Sequence, residues 1–283
     1  MPSTRPCPPI ALTIAGSDSG GGAGIQADLR SFAAFGVHGL SAITAITAQH
    51  TRGVDAVRML PQAIVRAQID AVLGDFRVAA IKIGMLGTAA LARTVGHALA
   101  RHRAIPLVLD PVLIATSGDR LSRGGVVAAL KRHLVPRATL LTPNLPEAEQ
   151  LVGRRLRSRE DLLEAAEELR GLGAQAVLLK GGHLRGATVH DVLVGANGTE
   201  WFSHARIAVE GHGTGCTLSA AVAAGLASGL PLAEAVAAAI DFVHRALALA
   251  YRPGRGRVVV LDHLGARPPV VIRNSARARS GRR

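Results

Sequence analysis

The chain has 283 residues, 48% of them apolar and 19% charged, with a formal net charge of +13. That apolar share excludes a mostly disordered chain. The only two cysteines, Cys7 and Cys216, exclude a disulfide scaffold or a cysteine-based zinc cluster, and the length suits one large domain or two small ones. The charge is uneven. From Arg252 onward, nine Arg and one Asp give +8, which leaves +5 on the 251 residues before them. Lysine is nearly absent, with Lys82, Lys131 and Lys180 set against 30 Arg. This skew reads as a coding bias toward Ala and Arg, and it singles out each lysine that survives.

In chain order, residues 1–9 are Pro-rich and read as a flexible segment, and the apolar run 10–15 is too short for a signal-peptide core. Short apolar runs that predict strands follow at 11–15, 42–48, 79–83, 107–109, 140–142 and 177–179, with a last one at 258–261. Between most of them the apolar period is helical, over 24–35, 61–73, 89–101 and 159–172. Segments 190–194 and 200–203 predict a hairpin on the Asn197-Gly198 turn. Two small-residue helices are expected over 213–228 and 232–250. The second is about one membrane span long, but Glu234, Asp241 and Arg245 interrupt it. Strand–helix alternation of this kind predicts an α/β fold with a mostly parallel central sheet. There is no internal repeat and no interdomain linker, so a single domain is expected over 10–266. A basic tail follows over 267–283, with five Arg crowded into 273–283, and reads as disordered. The expectation is a soluble cytoplasmic protein.

Ligands of open α/β sheets bind beyond the carboxyl ends of the strands, and polar and glycine residues of this sequence gather there. The first turn, Gly16-Ser17-Asp18-Ser19-Gly20-Gly21-Gly22-Ala23-Gly24, has more glycines than a turn requires and reads as a ligand loop. The plainer alternative is a tight turn with an N-cap at Ser17 or Asp18. Gly22-Ala23-Gly24-Ile25-Gln26-Ala27 fits the G-x-G-x-x-A dinucleotide pattern, but the second strand ends Gln49-His50-Thr51 and offers no acid for a ribose. A Walker A loop is excluded, because no lysine follows a glycine.

Asp110, Asn144 and Glu147 stand at three further strand ends, and together they form an oxygen-rich set suited to a hard cation such as Mg²⁺. Taken singly, Asn144 reads as a helix N-cap and Glu147 as a first-turn acid. Lys180, followed by Gly181 and Gly182, suits a phosphate contact. In Gly211-His212-Gly213-Thr214-Gly215-Cys216-Thr217 the glycines and a helix start predict an anion hole. Cys216 falls in the first turn of that helix, where a thiolate is expected to be favoured. Its role is open between covalent nucleophile and proton acceptor, since His183 is the only partner far enough away in sequence for a nucleophile.

Taken together, these segments resemble the hydroxymethylpyrimidine/phosphomethylpyrimidine kinases of thiamine biosynthesis, members of the ribokinase-like superfamily. The resemblance runs in order through residues 12–18, 21–29, 44–49, 82–86, 109–112, 117–119, 142–147, 180–183 and 212–219. It implies a ribokinase-like three-layer α/β/α fold, usually dimeric. It also implies ATP and Mg²⁺, and two successive phosphorylations of 4-amino-5-hydroxymethyl-2-methylpyrimidine, first to the monophosphate and then to the diphosphate. By the same resemblance, Asp28, Gln49, Met85 and Val112, with Gly16 and Ala23 as backbone wall, correspond to the pyrimidine pocket. A primary amide such as that of Gln49 has the donor and acceptor an aminopyrimidine edge needs.

The resemblance further assigns Asn144 and Glu147 to Mg²⁺ through water, and Asp110 and Thr214 to nucleotide and metal water. Lys180 is assigned to phosphate, and Gly213, Gly215 and Cys216 to the catalytic loop. The alternatives are a pyridoxine/pyridoxal kinase of the same superfamily and, from another class, a non-catalytic pyrimidine-binding regulator of the thiamine pathway. A nucleic-acid role rests on the Arg tail alone and ranks last.

Overall fold

A computed structural model describes residues 7–113 and 124–268. In chain order the elements begin β1 (Ile10–Asp18), α1 (Gly24–Ala34), β2 (His38–His50), β3 (Gly53–Met59), α2 (Gln62–Asp75), β4 (Ala80–Ile83), α3 (Ala89–Leu99) and β5 (Leu107–Leu109). Next come α4 (Val126–His133), β6 (Leu140–Leu141), α5 (Leu145–Val152), α6 (Arg159–Gly171), β7 (Val177–Leu179), β8 (Thr188–Gly195) and β9 (Gly198–Ala205). The chain continues with β10 (Gly211–His212), α7 (Thr214–Ala227), α8 (Leu232–Ala248) and β11 (Val259–Val260).

Among the described residues, nine strands form one sheet in the order β3-β2-β1-β4-β5-β6-β7-β8-β9. The strands from β2 to β7 run parallel, while β3 at one edge and the β8–β9 hairpin at the other are antiparallel additions. The central strands are apolar on both faces, and their side chains alternate between two cores. Leu12, Ile14, Ile81, Ile83, Leu107 and Leu109 face one side, where α2 to α6 pack. Ala11, Ala80, Val108, Leu140 and Leu178 face the other, against α1, α7 and α8. Helix α7 is buried along most of its length, from Thr217 to Gly225, so its sequence is apolar all round rather than amphipathic. Gly225 lets it close on α8, since a Cβ there would lie 2.9 Å from the Ala235 Cβ.

Strand order reverses beside β1: the chain moves outward to β2 and β3, then returns past β1 to β4. The carboxyl ends of β1 and β4 therefore splay around a crevice, the place where such sheets take ligands. Four details differ from the sequence reading. Strand β3 was not expected, because an edge strand with exposed Asp55 and Ala56 carries little apolar alternation. Helix α4 also went unread. The strand expected at 258–261 does not join the large sheet; its core, Val259–Val260, pairs in parallel with Gly211–His212 as a separate two-stranded ribbon. The hairpin is longer than expected, with Gly195 paired to Gly198 and only Ala196 and Asn197 in the turn. Residues 1–6, the 117–119 segment and the 273–283 tail lie outside the described residues. Among the described residues no helix is long and apolar enough to cross a membrane.

Candidate active site

β1 ends in Asp18, whose side chain is 4% exposed and organises the glycine loop behind it. Its Oδ1 accepts from the Gly20 N–H at 2.8 Å, and its Oδ2 accepts from Gly22 at 3.0 Å and Ala23 at 2.8 Å. Burial works against the charged carboxylate, but the His212 hydrogen bond and these N–H groups outweigh it and hold its pKa below the ordinary value. Asp18 is thus not the cap of α1. The cap position is Ala23, which offers no side-chain acceptor. Gly24 opens the helix at φ +57°, and a Cβ there would strike the Gly16 carbonyl oxygen.

A second glycine loop packs against the first. His212 Nε2 lies 3.0 Å from Asp18 Oδ2, and the Gln49 side-chain amide lies 2.9 Å from the same imidazole nitrogen. A carboxylate only accepts, so this contact requires a hydrogen on His212 Nε2. Gly213 follows at φ +81°, where any Cβ would collide with the Gly22 carbonyl. No side chain caps α7, which leaves its first N–H groups available to an anion. Cys216 lies in this first turn, half-buried, where the backbone N–H of Gly24 favours its charged form. The expectation of a favoured thiolate does not hold. Burial outweighs the pull of Lys82 and, with Asp28 and Asp110 adding to it, pushes the thiol up to about 11.

The oxygen-rich set comes together at the ends of β5, β6 and β7. Lys180 Nζ lies 3.2 Å from Asp110 Oδ1. Burial tends to discharge Lys180, but Asp110 and then Glu147 keep its pKa above the ordinary lysine value. Asn144 and Glu147 form a reciprocal capping box at the start of α5, with both bonds at 2.9 Å. The capping reading is therefore realised, yet both residues also line the cavity. Glu147 is 3% exposed, and burial, opposed by Lys180 and reinforced by Asp110, pushes its pKa up to about 8.

One cavity of about 750 Å³ unites these groups. Its wall contains Gly16, Ala23, Gln49, Met85 and Val112, then Asp110, Asn144, Glu147 and Lys180, then Gly213, Thr214, Gly215 and Cys216. Asp28 is the exception. It is fully buried and absent from the wall, with both carboxylate oxygens 2.9 Å from Lys82 Nζ and the Thr13 hydroxyl donating to Oδ2 at 2.6 Å. Its oxygens are engaged by these internal donors.

Several wall residues had no role assigned from sequence: Lys82, noted there only for the rarity of lysine, Asp18 as loop organiser, His212, and Asp191. Asp191 accepts from the Gly181 N–H at 2.8 Å, and burial pushes it up to about 6. The rarity of lysine was the available signal for Lys82, masked by its place inside an apolar strand. His183 lies in the wall beside Lys180 and Arg206, and burial, followed by those two charges, lowers its pKa. No cluster of three or more His, Cys, Asp or Glu placed to chelate a metal occurs among the described residues.

The family described as phosphomethylpyrimidine kinase matches residues 18–261. A hydroxymethylpyrimidine/phosphomethylpyrimidine kinase of Rhizobium meliloti (strain 1021) is 51% identical over 257 residues, covering 88% of this chain and 96% of that protein. Among solved structures, the phosphomethylpyrimidine kinase of Clostridium difficile 630 is similar with a TM-score of 0.76 at 42% identity, covering 84% of this chain and 99% of that one. The pyridoxal kinase of Staphylococcus aureus in complex with AMP-PCP and pyridoxal gives a TM-score of 0.83 at 34% identity, covering 92% of this chain and 94% of that one. With the three layers and the sheet order described above, the ribokinase-like expectation holds, and the chain belongs to the phosphomethylpyrimidine kinase family.

Proposed function

We propose that this kinase transfers the γ-phosphoryl group of ATP to 4-amino-5-hydroxymethyl-2-methylpyrimidine, and then phosphorylates the monophosphate to the diphosphate, in thiamine biosynthesis. The observation that carries this reading is the single cavity. Its wall holds a primary amide suited to an aminopyrimidine edge, a glycine-rich helix start and a lysine suited to a polyphosphate, and two carboxylates suited to the hydrated Mg²⁺ that accompanies it. Gln49 meets the ring, with Met85 and Val112 giving apolar contact and Gly16 and Ala23 close backbone. Lys180 and the N–H groups of Gly213–Gly215 hold the phosphates, and Thr214 and Asp110 line the same end.

The oxygen donors fit Mg²⁺ that keeps most of its water. The capping box already uses the Asn144 oxygen and one Glu147 oxygen, and no chelating cluster replaces the hydration shell. Asp110, Asn144 and Glu147 would hold that hydrated ion, which supplies charge neutralisation to the transferring phosphate. Phosphoryl transfer asks the protein mainly for positioning and charge stabilisation. Cys216 takes the proton of the substrate hydroxyl: the O–H bond breaks, an S–H bond forms on the thiolate, the oxygen bonds the γ-phosphorus and ADP leaves. Since Cys216 rests as the thiol, the reactive form is its minor thiolate. The thiol and the ATP requirement suit a reducing cytoplasm. A homodimer is expected from the resemblance, and the half-exposed Ile46 beside edge strand β3 is compatible with it.

The test is mass-spectrometric product analysis with ATP, Mg²⁺ and the hydroxymethylpyrimidine, with mono- and diphosphate both expected. Absence of either phosphate overturns the corresponding step. Pyridoxal is run in parallel, because the fold is also similar to pyridoxal kinases at a TM-score of 0.83. Turnover of pyridoxal alone would reassign the substrate. Binding without turnover of either compound would support the regulator reading.

A further inference from the structure

Gln49 is held at both ends. Its backbone is tied to Ser19, whose hydroxyl donates to the Gln49 carbonyl at 2.8 Å and accepts from the Gln49 N–H at 2.7 Å. Its side chain reaches between Thr47 and His212, both in the cavity wall. The Nε2 end of the amide lies 2.9 Å from His212 Nε2, and the Oε1 end lies 3.2 Å from Thr47 Oγ1. Neither neighbour is free to move aside. Thr47 is 5% exposed, and the His212 ring is wedged against Gly22, where a Cβ would lie 2.5 Å from the ring's Cδ2.

The hydrogens these neighbours carry conflict with that sense of the amide. Asp18 Oδ2 lies 3.0 Å from His212 Nε2. A carboxylate only accepts, so Nε2 bears a hydrogen whether the imidazole is neutral or charged. An amide NH₂ facing it sets donor against donor. Thr47 has one hydroxyl hydrogen, and the Ser17 carbonyl, which can only accept it, is nearer at 3.0 Å than the amide is. The hydroxyl therefore turns a lone pair to Gln49, and an amide oxygen there sets acceptor against acceptor. Turning the amide over about its last torsion removes both conflicts. Its oxygen then shares the His212 hydrogen with Asp18, and its NH₂ donates to Thr47. The two ends of a primary amide are told apart by such partners.

We propose that Thr47 and His212 fix the Gln49 amide in this sense, oxygen toward His212 and NH₂ toward Thr47, and thereby make it select aminopyrimidines over their oxo counterparts. Both are positioning residues that act through Gln49. The inference rests on the reading of Gln49 as the group that meets the ring. An aminopyrimidine edge sets a donor, the exocyclic amine, beside an acceptor, the ring nitrogen. The oxo edge reverses them, with a carbonyl that accepts beside a ring N–H that donates. An amide free to turn over fits either edge, whereas one fixed in a single sense fits one. To suit the other edge it would have to restore both conflicts, with polar groups left unpaired in the wall.

The test begins with NMR of the full-length enzyme without substrates, its side-chain amides isotope-labelled and Gln49 assigned by the signal lost in Gln49→Ala. Cross-relaxation from the Gln49 NH₂ should be stronger to the Thr47 methyl group than to the His212 ring. The reverse order, or equal intensity from an amide that turns over, would overturn the proposal. Calorimetric titration then gives the affinity ratio of the aminopyrimidine to its 4-oxo counterpart. In Thr47→Val the ratio should fall about tenfold, the worth of about one hydrogen bond, and Thr47→Ser should restore it. General loosening of the site would weaken both compounds alike, and an unmoved ratio in Thr47→Val would overturn the selection. A ratio unmoved in Gln49→Ala would instead overturn the assignment of Gln49 to the ring, and the selection with it, leaving the fixed amide standing.

Discussion

Replacing Asp18 by Asn should loosen the contact between the two glycine loops without emptying the core. One oxygen, Oδ2, accepts from Gly22, Ala23 and His212, and the other accepts from Gly20. The best an asparagine can do is direct its single carbonyl at the three donors and its NH₂ at Gly20, which is exposed and can turn to water. Each retained bond then falls from a charged to a neutral acceptor, a loss of about 1 kcal/mol apiece and about 3 kcal/mol in all. Amide hydrogen exchange at Gly22 and Ala23 should accelerate by about two orders of magnitude, with the KM for ATP rising as the Gly213 loop loses its support. The effect has a defined pH dependence. The native pKa of Asp18 is lowered, so its stabilisation is complete above the ordinary carboxylate pKa near 3.8. It is lost as the pH falls through the lower native value. The difference between wild type and Asp18→Asn should therefore be constant at neutral pH and vanish in strong acid. Unchanged exchange at Gly22 and Ala23 would refute the reasoning.

Cys216→Ala should lower turnover by about 10²–10⁴-fold, and Cys216→Asp should retain more activity than Ala. With the free thiol near 11, kcat/KM of the wild type should rise with pH from 7 to 9, while that of Cys216→Asp stays flat; a flat wild-type profile would remove the thiolate from the mechanism. Gln49→Ala should weaken pyrimidine binding in a calorimetric titration by about 1–3 kcal/mol, and an unchanged affinity would end its assignment to the ring. Glu147→Gln should shift the Mg²⁺ dependence of turnover while pyrimidine binding without ATP stays near wild type, and an unmoved Mg²⁺ curve leaves Glu147 as half of a capping box. Deleting residues 273–283 should leave kinase activity intact, whereas a tail-dependent, salt-sensitive RNA affinity would revive the nucleic-acid reading.

The sequence alone determined what depends on neighbours along the chain. Short apolar runs such as Leu107–Leu109 marked strands buried on both faces, and strand–helix alternation gave the layered class. The glycine runs and the residues just beyond each strand marked the cavity wall, because parallel strands deliver all their carboxyl ends to one side. What only the tertiary structure decided depends on distant partners. Asp28 and Lys82 meet across 54 positions, and Asp18 and His212 across 194, so no local pattern announces either pair. Asp28 had a recognisable motif position but its partner withdraws it from the cavity. Cys216 had a helix start that argues for a thiolate, and burial, which no single stretch of sequence reveals, argues more strongly for the thiol. Strand β3 was illegible for a related reason: an edge strand is held by backbone pairing to β2, and backbone hydrogen bonds leave no mark on side-chain periodicity.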